Sequence, residues 1–204
     1  MPMDLATDPR RHFDALFAAS ADPWQFRQRW YEARKRALTL ACLPRARYAS
    51  GYEPGCANGE LSAALAQRCD RLLISDGAAA AVELARHRVA GLTNVDVVHA
   101  WVPDEWPATR FDLIVVSELA YYLDAAALEA LAARAVGSLT DGGDIVACHW
   151  RHPIEGCRQT GDEVHAALAR ALALPCVWSL ADPDFRIDVW SADTRSVGAR
   201  EALF

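Results

Sequence analysis

The apolar positions change their period along the chain. Residues 72–74 (Leu-Leu-Ile), 95–98 and 111–116 are short, nearly continuous apolar runs. Strands covered on both faces require such runs. Between them the apolar residues recur at helical spacing, as Val82, Ala85 and Val89 within 78–89 and as Leu128, Leu131 and Ala135 within 123–139. Residues 59–68 have a helical composition, and 48–52 read as a short strand before them. Asp141-Gly142-Gly143 breaks the pattern ahead of a further strand at 144–149. Strand–helix alternation of this kind predicts an α/β fold with a doubly wound parallel sheet. Two segments stand outside it. Residues 23–43 read as one long helix, entered at Asp22-Pro23 with Asp22 as its cap. Residues 176–181 and 185–192, joined by Asp182-Pro183-Asp184, predict an antiparallel hairpin at the sheet edge.

Composition narrows the class. The 204 residues suit one domain, 1–204, with a sizeable core. With 52% hydrophobic and 24% charged residues the chain is ordinary for a soluble protein. A net charge of −6 argues against a general nucleic-acid binder, which needs a basic footprint. The longest uncharged run, 171–181, has 11 residues and a proline inside it. A membrane span needs about 18 or more. Residues 1–11 have no apolar stretch of signal-peptide type, so the expected location is the cytoplasm. The six cysteines form no C-x-x-C pair and are expected as free thiols. No histidine pair combines with a carboxylate at metal-ligand spacing, and no metal is expected.

The densest chemical signal is 51–61, Gly-Tyr-Glu-Pro-Gly-Cys-Ala-Asn-Gly-Glu-Leu, between a strand and a helix. Small residues at Gly55, Ala57 and Gly59, with Cys56 between them, let backbone approach a ligand. Asp76, followed by Gly77, ends the next strand 17 residues beyond Gly59, where an acid can take both ribose hydroxyls. Glycines can also simply make a turn; the ordered set of strand, turn, helix, strand and terminal acid favours a nucleoside cofactor. A dinucleotide site would place a pyrophosphate at this helix start. Glu53 beside the turn would repel one, and the glycine spacing also departs from G-x-G-x-x-G. An ammonium and a sulfonium would be tolerated.

The turn resembles motif I of the class I S-adenosylmethionine-dependent methyltransferases, acid-x-G-x-G-x-G. Ala57 stands where the middle glycine is usual and Pro54 where an aliphatic residue is usual. Residues 111–118, ending in Ser117 and Glu118, look like that class's fourth strand. Three further stretches resemble the nodulation protein S group: Asp22-Pro23-Trp24 with 31–35, 117–123 and 160–165. The resemblance spans about 20–190. It implies a Rossmann-like, seven-stranded, mostly parallel sheet with an antiparallel last strand. It also implies S-adenosylmethionine as cofactor and N-methylation of a small amine or amino-sugar acceptor such as a deacetylated chitooligosaccharide. It leaves the oligomeric state open.

The resemblance also distributes roles. Residues 1–43 become a helical lid over the cofactor, with Trp24 facing it and Arg34 pairing with its carboxylate. Glu53 receives its ammonium. Ser117 faces the methyl group. Trp101 stands where related enzymes often keep an acid for the adenine; it either covers the adenine or belongs to the core. Glu118 is a candidate to hold and deprotonate an acceptor ammonium, with His149 and His165 as competing bases. A non-catalytic S-adenosylmethionine binder, or a methyltransferase acting on oxygen, would keep the same fold.

Overall fold

The computed structural model describes residues 9–157 and 159–204. Seven strands form one sheet: β1 (Gly51–Pro54), β2 (Leu72–Asp76), β3 (Val95–His99), β4 (Phe111–Ser117), β5 (Leu139–Trp150), β6 (Cys176–Ala181) and β7 (Phe185–Ser191). Their order is β3-β2-β1-β4-β5-β7-β6. The first five run parallel, while β7 is antiparallel to both β5 and β6. Chain order reverses between β1 and β4. In an open α/β sheet that switch point opens a crevice beyond the carboxyl ends of the strands.

The strand period divides the core between the two faces. Along β4, Leu113 and Val115 pack into one apolar cluster, with Leu65, Ile74, Val146 and Ile187. Ile114 and Val116 pack into the other, with Leu128 and Leu131 of α5 (Ala125–Ser138) and Leu168 of α6 (Gly161–Leu172). All of these residues are at most 2% exposed, so truncating any one leaves a cavity costing about 2–5 kcal/mol. Helices α3 (Glu60–Leu65) and α4 (Ala79–Val89) follow β1 and β2 as the alternation predicts.

Several boundaries move. The first strand begins at Gly51, and Tyr48 makes only an isolated bridge to Cys69. Strand β5 starts at Leu139, so Asp141-Gly142-Gly143 lies inside a strand, beside a register shift between Phe111 and Leu113. The single helix expected over 23–43 is not formed. Gln25 takes a left-handed φ of 61°, and the Asp22 carboxylate accepts hydrogen bonds from the Phe26 and Arg27 amides. That closes a local turn instead of capping a helix, and α2 runs only over Trp30–Ala41. A helix the pattern did not predict, α1 (Pro9–Ala19), precedes the turn, and a short α7 (Val197–Arg200) ends the fold. Residues 1–8 of the expected lid lie outside the described residues.

Candidate active site

At the carboxyl end of the sheet a cavity of about 800 Å³ opens at the switch point. Cofactor sites generally fall between about 300 and 1,000 Å³. One half is built from the β1 and β2 ends. Gly55, Ala57 and Gly59 all adopt left-handed φ, at 72°, 50° and 79°. Ala57 does so at a cost of about 1–2 kcal/mol, because its Cβ crowds the following carbonyl. The turn is pinned from below, since the Cys56 amide donates to the Ser75 carbonyl at 2.9 Å. A Cβ at Gly55 would come within 3.2 Å of Leu119. Gly59 is turned away from the cavity; a Cβ there would meet Ala85 at 3.1 Å, so this glycine serves the packing of α3 on α4.

Asp76 accepts from the Ala57 and Ala78 amides, each at 2.9 Å and each on a different oxygen. A carboxylate has about four acceptor positions, so each oxygen keeps one for a ligand. Burial raises the Asp76 pKa, against those two amides. Glu53 is 2% exposed, and its Oε2 has no partner among the described residues. Burial pushes its carboxyl up to about 8, the Ser62 hydroxyl opposing and the Asp76 charge reinforcing. The Asn58 side-chain amide donates to the Ala21 carbonyl and to Asp22, leaving its buried Oδ1 unpartnered on the cavity wall. Trp101 lies flat on Gly77, where a Cβ would approach the indole to 2.3 Å. Gly77 is therefore required by the tryptophan's position. Arg10 of α1 sits 5.1 Å above the same ring.

The other half joins α2 to the ends of β4 and β5. Helix α2 buries Glu32, Lys35 and Thr39, a polar stripe at helical spacing. The Lys35 ammonium lies 3.1 Å from Glu32 and 2.7 Å from Glu118 Oε1. Burial opposes its charge, but Glu118 together with Cys148, Glu32 and Tyr31 outweighs burial, and the Lys35 pKa ends above the ordinary lysine value. Glu118 takes a left-handed φ of 53°, an uncommon backbone state for a residue of this kind. Its Oε2 accepts from the Tyr121 hydroxyl and from the Trp150 amide. Ser117, Glu118, Tyr31, Tyr121, Tyr122 and Trp150 all face the cavity. Trp24 closes it from the amino-terminal side, its ring 5.6 Å from Phe17 and 5.4 Å from Phe26.

Besides Gly59, three expected site residues stand elsewhere. Arg34 points off the opposite side of α2, pairing with Asp182 at 2.7 Å over the Phe185 ring, and does not line the cavity. His149 and His165 are wholly buried behind the cavity wall. The His149 Nε2 accepts from the Ala120 amide, so its proton sits on Nδ1 and is directed at His165 Nε2. His165 in turn donates from Nδ1 to Asp188 at 2.7 Å. Burial, then His165 and Lys35, push the His149 pKa well below its ordinary value. This hydrogen-bonded chain braces the turn that carries Glu118. None of Glu32, Lys35 and Asn58 was expected at the site from the sequence. The polar stripe 32-35-39 was the available signal, because polar residues at i, i+3 and i+7 share one helix face. Among the described residues no three metal-ligating side chains gather, and no helix is long and apolar enough to cross a membrane.

Strand order, switch-point cavity and acid-containing glycine turn define the fold of the class I methyltransferases. A Bradyrhizobium japonicum N-methyltransferase NodS, solved with S-adenosyl-L-homocysteine, superposes with a TM-score of 0.77. That match is 23% identical and covers 90% of this chain and 98% of the other. The model of the nodulation protein S (NodS) family matches residues 13–186, and the chain belongs to that family. Nodulation protein S of Rhizobium tropici is 32% identical over 130 residues, 63% of this chain and 55% of the relative. The matches thus span about half the length of the curated relatives. A Pseudomonas syringae crystal structure named as a candidate methyltransferase is 52% identical, with a TM-score of 0.72, covering 80% of this chain and 99% of that one.

Proposed function

We propose that this protein is an S-adenosylmethionine-dependent methyltransferase acting on the nitrogen of a small amine or amino-sugar acceptor. The cofactor half fits its ligand chemically. The unpartnered Glu53 oxygen offers a buried acceptor to the methionine ammonium. Asp76 keeps free acceptor positions for ribose hydroxyls, and Trp101 lines the cavity beside it, where an adenine would lie. Glu53 Oε2 places an acceptor, and when ionised a negative charge, beside the turn where a pyrophosphate would need donors, which disfavours a nicotinamide cofactor. When bound, S-adenosylmethionine supplies an electrophilic methyl group on a sulfonium.

One observation carries the amine reading. The chamber facing Ser117 is walled by aromatic rings, and there Glu32 and Glu118 gather around the Lys35 ammonium, with the Arg36 guanidinium on the same wall. Carboxylate acceptors beside ring faces suit a cationic acceptor. The amino-terminal segment supports enclosure, because Phe13 of α1 stacks edge-on against Tyr122 at 4.9 Å and Trp24 lies over the turn. Enclosure excludes water and holds the reacting atoms together. An amine also accords with the N-methyltransferase named among the structural relatives. The test is formation of S-adenosylhomocysteine across a panel of primary amines, including deacetylated chitooligosaccharides, and matched alcohols. Methylation of amines supports the reading. Methylation of hydroxyl acceptors alone would leave the methyltransferase class standing and end the amine assignment. Binding of the cofactor with no turnover on any acceptor would point to a binding module.

A further inference from the structure

We propose that Glu32, not Glu118, is the carboxylate that takes the proton from the acceptor nitrogen. The inference rests on the amine reading above and assigns the proton within it. The two carboxylates share the Lys35 ammonium, so both lie within two hydrogen-bond lengths of each other at the same wall. Their remaining valences differ. Glu118 is engaged on both oxygens, by Lys35 on Oε1 and by Tyr121 and the Trp150 amide on Oε2. Of its roughly four acceptor positions only one is left, on Oε1 beside the Lys35 ammonium, so a proton taken there would compete with Lys35 and disturb a turn already held in a left-handed conformation. Glu32 has only Lys35, at 3.1–3.2 Å from its two oxygens, and it lines the cavity at 7% exposure. Glu32 therefore keeps more free acceptor positions at the cavity wall than Glu118 does.

The electrostatic surroundings agree. Burial raises the Glu32 pKa, with Glu118 in the same direction and Lys35 and Arg36 opposing. A base works best when its pKa approaches the working pH. The groups facing Glu32 are Lys35 and Arg36 of its own helix, Tyr31 beside it, and Glu118 from the turn after β4. In the proposed step a proton leaves the acceptor nitrogen for a Glu32 oxygen. The N–H bonding pair remains on nitrogen as the lone pair that attacks, and the carboxyl then returns the proton to solvent. Glu118 stays ionised throughout and holds Lys35 in place.

The experiment compares wild type with Glu32→Gln, Glu32→Asp and Glu118→Gln. It uses glucosamine and a deacetylated chitooligosaccharide as acceptors, at several pH values, with S-adenosylhomocysteine affinity measured by calorimetry. Glu32→Gln should lower kcat by about 10²–10⁴-fold, the range for a lost general base, and leave S-adenosylhomocysteine affinity within about twofold. Its deficit should shrink as pH rises and the free acceptor deprotonates in solution, which a packing defect would not reproduce. Glu32→Asp, which keeps the carboxyl, should recover part of the rate. A Glu32→Gln enzyme with wild-type kcat would overturn the assignment and leave the amine reading intact. So would a deficit that is constant with pH, or a Glu118→Gln enzyme showing the pH-dependent loss instead. A wild type that methylates no amine yet methylates an alcohol would overturn both.

Discussion

The two halves of the cavity are built by opposite means. The cofactor half is a contiguous stretch from Glu53 to Gly77, and most of its polar contacts are backbone amides. The acceptor half gathers side chains from three distant places, with Lys35 and Glu118 separated by 83 positions. The first tolerates the loss of one side chain, because the turn is held by the chain itself. The second is a single charged network in which removing one member strands the others.

Lys35→Met should therefore have the largest effect on the fold. It leaves Glu32 and Glu118 buried without their cation, and breaking a buried pair costs about 3–5 kcal/mol. Denaturant unfolding would measure it, and adding Glu118→Gln should recover part of the loss. Full stability in the single variant would mean the network is solvated. Asp76→Ala, in the other half, should unfold little and instead weaken S-adenosylhomocysteine binding. Loss of hydrogen bonds worth about 1.5–3 kcal/mol each predicts at least a tenfold rise in Kd by calorimetry. An unchanged Kd would remove Asp76 from the cofactor site.

Glu53 sharpens the contrast through pH. Its folded carboxyl titrates near 8, against an ordinary 4.5. The free protein therefore holds a proton that the unfolded chain has lost, and this contribution to stability, full below 4.5, falls away as pH rises through 8. Cofactor binding needs the ionised form, so affinity should rise with pH over the same window, by at most about tenfold per unit, and level off above 8. Glu53→Gln should abolish both trends. Arg34→Ala should do least. Its partner Asp182 is largely covered, but Arg34 itself is 43% exposed and the pair is screened, worth about 1 kcal/mol, and S-adenosylhomocysteine affinity should not change.

The same contrast explains what could be read from residue order. The Gly55–Gly59 turn and Asp76 were legible because a strand, a turn and a strand end are local and their spacing is short. The parallel sheet was legible for the same reason, through runs such as 111–116. The acceptor wall was not. Arg34 and Lys35 are neighbours in sequence, yet the helical rotation of about 100° between them sends one to Asp182 and the other into the cavity. Which of the two turns inward depends on where α2 begins, and that was set by the left-handed Gln25 and the Asp22 turn, neither of which has a helical signature. His149 was placed correctly at the end of a strand, but its face was decided by α6, whose His165 draws it into the interior.

A crystal structure of the protein with S-adenosylhomocysteine tests most directly whether the Glu53–Asp76 pocket and the Glu32–Lys35–Glu118 wall form one site for S-adenosylmethionine and its acceptor. The expected result is the α-ammonium within hydrogen-bond distance of Glu53, both ribose hydroxyls on Asp76, the adenine beside Trp101, and the sulfur directed toward the Ser117–Glu118 wall. A ligand bound with Glu53 still unpartnered, or with its sulfur facing away from that wall, would contradict it.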